Sequence, residues 1–289
     1  MTSNVNPKGI LIPIGGNEDK GLEPNELYTM DFVQDGILSH VVRESGGPDA
    51  RIVIVPTASG IPDEVGENYL QAFGKLGCNN LTVMDIRSRE DSEKPEHLES
   101  VRQADCIMFS GGDQSKIVDK IGGTELHNLM VERYQNERFV IAGTSAGAMC
   151  MSTEMISGGY STESLFKGAV SMRDGMGFVP SLVIDSHFIQ RGRFGRLTEA
   201  MANFPNLLGI GLAEDTGVII TEGNSMRVIG SGMVIVFDPA NLLHNNASIL
   251  DEGTPMTVTN MRVHVLANTD QFKIDEREIE VLPVDAPFI

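Results

Sequence analysis

Gly143-Thr144-Ser145-Ala146-Gly147 follows the apolar run Phe139-Val140-Ile141-Ala142 and precedes small residues able to begin a helix. That is the G-x-S-x-G pattern in the strand-turn-helix context it requires. A turn this sharp forces strained dihedrals on Ser145 and lifts its hydroxyl out of the sheet edge where α/β proteins bind ligands. The helix start behind it offers backbone N–H groups and a positive dipole end to a developing oxyanion. A second turn, Gly111-Gly112-Asp113-Gln114, ends another apolar run, Asp105 to Ser110. It is expected at the same edge, where its amides can complete an oxyanion hole and Gln114 can orient a substrate amide.

A serine nucleophile needs a base. Of six histidines, His187 alone stands just past a short strand, Leu182-Val183-Ile184, inside a polar cluster, Asp185-Ser186-His187-Phe188-Ile189-Gln190-Arg191-Gly192-Arg193. Delivered to the edge that carries Ser145, it can act as general base and then general acid. The carboxylate that fixes its tautomer is assigned to Glu214, with Asp215 and Asp185 as open alternatives. Arg191, Arg193 and Arg196 can hold carboxylates through forked hydrogen bonds. As cations at a helix start they oppose the helix dipole, which favours a role in binding over one in stability.

These residues must be held by a scaffold, and the chain supplies its pattern. Short β-rich runs (9–14, 51–56, 81–86, 105–110, 139–142) alternate with helical spacing over 30–42 and 64–76, as in a parallel sheet with crossover helices. Beyond about residue 208 the texture is mostly strand and turn. We expect one domain over 1–289 with an α/β fold, its C-terminal third, about 218–289, rich in β-structure. The net charge of −18 argues against wrapping nucleic acid or an anionic membrane. Three cysteines form no disulfide framework, and MTSNVNPKG has no apolar signal core. No apolar run reaches the ~18 residues of a spanning helix. The expectation is a soluble cytoplasmic protein. No metal-ligand spacing or dinucleotide loop is present, so no cofactor is expected.

Gly-Gly-Asp-Gln at 111–114, Gly-Thr-Ser-Ala-Gly-Ala at 143–148, Asp-x-His-Phe with Gln-Arg-Gly-Arg-x-Gly-Arg-Leu over 185–197, and Gly-Ile-Gly-x-x-Glu-Asp-Thr at 209–216 together resemble the cyanophycinases. These belong to the serine peptidase family that also contains aspartyl dipeptidase. The resemblance implies a flavodoxin-like, class I glutaminase-like fold with helices on both faces of a mostly parallel sheet. It implies a triad of Ser145, His187 and Glu214 and metal-independent homodimers; for such a mechanism the Gly112 and Ala146 amides are the expected oxyanion hole. It implies substrate contacts from Gln114, Asp185, the Ser186 position, Arg191, Arg193 and Arg196. The implied substrate is cyanophycin, a poly-aspartate backbone with arginine on each β-carboxyl, cut to β-Asp-Arg dipeptides. Asp185 and Asp113 are then candidates to meet its guanidinium groups. Ser186 stands where the family's Asp-Gln-His-Phe has glutamine, which removes one substrate hydrogen bond or passes it to another group. Gly15-Gly16-Asn17-Glu18-Asp19 fits the family only loosely.

Three other readings are distinguishable. An aspartyl dipeptidase-like enzyme would share the triad and cut short Asp-X peptides. A glutamine amidotransferase-like domain would use a cysteine, and Cys150 lies five residues late for it. A catalytically silent member of the fold would keep the scaffold without reacting.

Overall fold

Strand residues of this chain alternate between two buried faces, and that alternation lays out the molecule. The computed structural model describes residues 6–22, 28–159 and 164–281. The elements in order are β1 (Ile10–Ile14), α1 (Ile37–Glu44), β2 (Ile52–Val55), α2 (Pro62–Lys75), β3 (Leu81–Val83), α3 (Pro95–Gln103), β4 (Cys106–Phe109), α4 (Gln114–Ile121), α5 (Glu125–Asn136), β5 (Val140–Thr144) and α6 (Ala146–Met149). Then follow β6 (Glu154–Gly158), β7 (Ser171–Asp174), β8 (Leu182–Asp185), α7 (Phe194–Asn203), β9 (Leu208–Leu212), β10 (Thr216–Thr221), β11 (Ser225–Gly230) and β12 (Val234–Asp238). Five short strands complete the described chain: β13 (His244–Asn245), β14 (Val258–Thr259), β15 (Arg262–Leu266), β16 (Gln271–Lys273) and β17 (Glu278–Glu280).

Nine strands form one sheet in the order β17-β16-β11-β10-β1-β5-β4-β2-β3. The half from β1 to β3 is parallel, and β10 through β17 extend it antiparallel. Leu11, Val53, Val55, Ile107, Phe109 and Ile141 face one core. Their neighbours Ile12, Ile14, Ile52, Ile54, Met108 and Ala142 face the other. With both faces covered, the parallel strands lose the polar alternation of a half-exposed sheet and read as continuous apolar runs. Helices α1 and α2 close the second face through Ile37, Val41, Tyr69 and Phe73.

The first face is closed by helix residues such as Val101, Ile117 and Met130, and also by a second sheet. That sheet has the order β15-β12-β9-β8, with β8 parallel to β9 and the rest antiparallel. Ile184, Ile210 and Leu212 point from it into the shared core. Its outer face packs on α7 through Val183, Leu197, Met201 and Phe237.

The expected α/β architecture, with a mostly parallel central sheet, helices and a β-rich C-terminal part, is therefore present. Two details differ. The helix expected over 30–42 begins only at Ile37, because Asp31 caps a preceding turn by accepting from the Val33 and Gln34 amides. The strand leading to His187 belongs to the second sheet, not to the edge of the sheet that carries Ser145. Residues 282–289, within the expected β-rich C-terminal part, and residues 1–5 lie outside the described residues.

Candidate active site

The strand-to-helix turn at Ser145 is as tight as the sequence implies. Ser145 has φ 52° and ψ −108°, a left-handed conformation that non-glycine residues adopt at a cost. The flanking glycines allow it by close approach. A Cβ on Gly143 would lie 2.4 Å from the Gly147 carbonyl oxygen, and one on Gly147 would lie 2.6 Å from that of Phe109. The Ser145 amide donates to the Ile14 carbonyl at 2.8 Å, which ties the turn to the end of β1.

His187 reaches Ser145 from the end of β8, and Glu214 from the end of β9, both in the second sheet. Ser145 Oγ lies 2.9 Å from His187 Nε2, and His187 Nδ1 lies 2.6 Å from Glu214 Oε1. Asn17 donates to the other carboxylate oxygen, Glu214 Oε2, at 3.2 Å. Of the carboxylates left open by spacing, Glu214 meets the imidazole. Asp215 turns away to accept from the Asp19 amide and the Ser231 hydroxyl, and burial pushes its carboxyl up to about 6. Burial is also the largest influence on His187 and holds its pKa below 6.5. The Arg191 and Arg193 cations add to the lowering, and Glu214 opposes it.

What joins the two sheets at this point is the Gly15-Gly16 turn after β1. Gly15 accepts from the His187 amide at 2.8 Å and donates to the Thr216 carbonyl at 2.8 Å, while Gly16 accepts from the Asp215 amide at 2.9 Å. Gly16 has φ 107°, and a Cβ there would come within 2.4 Å of the His187 ring. Only glycine fits beneath the imidazole. The sequence fits the family only loosely here, yet this turn bonds to the segments that carry His187 and Glu214, and Ile14 just before it receives the Ser145 amide.

The second Gly-Gly turn arrives where expected, because β4 pairs with β5 in parallel with Phe109 opposite Gly143. A Cβ on Gly111 would sit 3.4 Å from that of Ser145. Among the described residues, neither the Gly112 nor the Ala146 amide donates to a protein acceptor. Asp113 caps α4 by accepting from the Ser115 amide.

The other expected substrate contacts divide sharply. Arg191 lines the cavity in front of Ser145. Asp185 does not, being fully buried between Arg193 (3.0 Å) and Arg196, whose Nε donates at 2.9 Å. Arg193 also donates to the Ser186 carbonyl at 2.5 Å, and Arg196 to that of Gly159 at 3.3 Å. The two arginines at the start of α7 thus share one buried carboxylate, which offsets part of their conflict with the helix dipole. Ser186 is buried too, and its hydroxyl lies 3.2 Å from the Met149 sulfur. Gln114 donates to the Ile156 carbonyl at 2.8 Å. Asp185, Ser186, Arg193, Arg196 and Gln114 thus each meet a protein group, and none of them lines this cavity.

Beside Arg191 the wall carries residues for which the sequence indicated no role in binding. The cavity, about 440 Å³, is bounded near Ser145 by Gly16, Glu18, Lys20, Asn68, Tyr69 and Arg191. Glu18, 2% exposed, accepts from Lys20 at 2.6 Å, Tyr69 at 2.5 Å and Thr144 at 2.5 Å. Burial alone would raise its pKa, but Lys20 and the two hydroxyls outweigh it and hold the carboxyl below its ordinary value. The only hint in the sequence was Gly15-Gly16 closing an apolar strand. Cys150 is buried, its thiol pushed up by desolvation and directed at the Gly147 carbonyl, so no cysteine stands at the elbow.

A serine lifted by an α/β elbow onto a His-Glu pair has the arrangement of a serine-type hydrolase. The family model of peptidase family S51 matches residues 31–229, and the chain belongs to this serine peptidase family. It is 34% identical over 272 residues to a cyanophycinase of Trichormus variabilis, covering 94% of this chain and 88% of that one. A cyanophycinase of Geminocystis herdmanii is 34% identical over 264 residues, covering 91% and 92%. One from Synechococcus elongatus is 30% identical over 273 residues, covering 94% and 81%. The fold is also that of a crystal structure of a peptidase from an acI-B1 Actinobacterium. The TM-score is 0.62 at 20% identity, with 94% of this chain and all of that one covered.

Proposed function

We propose that this peptidase is a cyanophycinase: a serine exopeptidase that cuts cyanophycin to β-Asp-Arg dipeptides. The hydrogen-bonded chain from Ser145 through His187 to Glu214, facing a cavity, carries the reading. Three relatives at 30–34% identity, each described as a cyanophycinase, support the choice of substrate.

In the proposed reaction, the Ser145 Oγ attacks a backbone carbonyl of an aspartyl unit while its proton passes to His187 Nε2. Glu214 holds the imidazole in the tautomer with Nδ1 protonated and stabilises the imidazolium. Amides of Gly112 and Ala146 receive the negative oxygen of the tetrahedral intermediate. His187 then returns the proton to the departing amine as the C–N bond breaks. Water, deprotonated by the same imidazole, cleaves the acyl-enzyme and restores Ser145. We further propose a cytoplasmic homodimer that needs no metal.

Purified protein incubated with insoluble cyanophycin and EDTA is expected to release soluble β-Asp-Arg, identified by mass spectrometry. Ser145→Ala is expected to lose activity by about 10⁴–10⁶-fold with its fold intact. Cleavage of α-Asp-X dipeptides, with the polymer left untouched, would overturn the choice of substrate in favour of an aspartyl dipeptidase-like activity.

A further inference from the structure

Cyanophycin poses a problem of charge recognition. Every backbone β-carboxyl is consumed by an isopeptide bond, so the carboxylates within the chain are those of the arginine branches. The cations expected to meet them were Arg191, Arg193 and Arg196, of which the latter two are held by the buried Asp185. Around Ser145 the cavity wall carries two cationic side chains, Arg191 and Lys20.

Lys20 is presented as a binding group rather than as a solvated surface charge. Its ammonium is fixed on one side by Glu18 at 2.6 Å and lies 5.0 Å from the centre of the Tyr69 ring. Tyr69 is buried and itself donates to Glu18, so the ring under the ammonium is anchored. An ammonium has three donors. Among the described residues, Glu18 is the one protein acceptor that Lys20 meets, and the side chain keeps 26% of its exposure toward the cavity. Prior fixation matters, because a lysine already ordered loses little further rotamer entropy when it takes up a ligand. Glu18 also receives the hydroxyl of Thr144, the residue before the nucleophile. The position of the ammonium is thereby set relative to Ser145.

We propose that Lys20, held by Glu18 and Tyr69, binds the α-carboxylate of an arginine branch of the substrate; this rests on the cyanophycin reading. It is a specificity-determining contact made through a charge-assisted hydrogen bond. Glu18 acts behind it as a positioning residue for both Lys20 and the elbow.

The test is binding to the Ser145→Ala protein, measured by calorimetry, of two soluble oligomers of four units. One is built of β-Asp-Arg, and the other carries agmatine for arginine, which deletes the branch carboxylates and nothing else. The first is expected to bind at least ~10-fold more tightly. Adding Lys20→Met should remove most of that preference, while Lys20→Arg, which keeps the charge, should retain most of it. Equal binding of the two oligomers by the Ser145→Ala protein overturns the proposal without requiring any lysine variant to fold. A preference that survives in a folded Lys20→Met protein also overturns it and assigns the carboxylate to another cation. If neither oligomer binds, the cyanophycin reading fails together with the subsite.

Discussion

Ser145 and His187 both sit at positive φ, 52° and 46°, so the two side chains proposed to react are held by backbone that the surrounding packing must impose. Their chemistry gives a pH signature. The reactive form has neutral His187, and burial holds its pKa below 6.5. The acid limb of kcat/KM should therefore have its midpoint below 6.5, with activity full above it and lost as pH falls through it. Glu214→Gln removes the partner that holds the value up, so the limb should move lower still while kcat drops. A pH-rate series on both proteins checks this. Gly16→Ala should place a methyl group in the His187 ring and strain a left-handed residue by about 1–3 kcal/mol. We expect at least ~10-fold loss of kcat/KM together with a lower Tm.

At the scale of elements, the site is a seam between two sheets. Ser145 follows β5, His187 and Glu214 follow β8 and β9, and the end of β1 together with the turn after it bonds to all three segments. The ion-paired cluster of Asp185, Arg193 and Arg196 holds the start of α7 against the end of β8, two residues before His187. Asp185→Ala would leave two largely buried guanidinium groups without their partner. A loss of about 3–5 kcal/mol is expected, read as a lower denaturation midpoint with unchanged m-value. The sequence disclosed the elbow, the histidine and the second Gly-Gly turn because each is local: an apolar strand followed by residues that only a special turn needs. It did not disclose the second sheet, since a buried strand such as Leu182–Asp185 reads the same in either sheet. Nor could it sort the arginines. Whether Arg193 and Arg196 face substrate or a buried Asp185 depends on packing, and no spacing rule carries that. Glu18 stayed hidden for the same reason, as its partners Tyr69 and Thr144 lie 51 and 126 residues away.

On the scale of the whole molecule, an acidic chain of net charge −18 places, among the described residues, Lys20 and Arg191 in the cavity before Ser145, a local reversal suited to the proposed substrate's carboxylates. Among the described residues, no helix is long and apolar enough to cross a membrane. The expected homodimer should sediment at twice the chain mass at micromolar concentration, and a species of single chain mass under those conditions would refute it.

Ser145, activated by His187, is the proposed nucleophile. The most direct measurement of this is reaction with a fluorophosphonate, followed by digestion and mass spectrometry of the adduct. The expected result is one phosphonylated residue, Ser145, with labelling slowed by orders of magnitude in His187→Ala. A folded wild-type protein that stays unlabelled, or that is labelled elsewhere, would contradict the account.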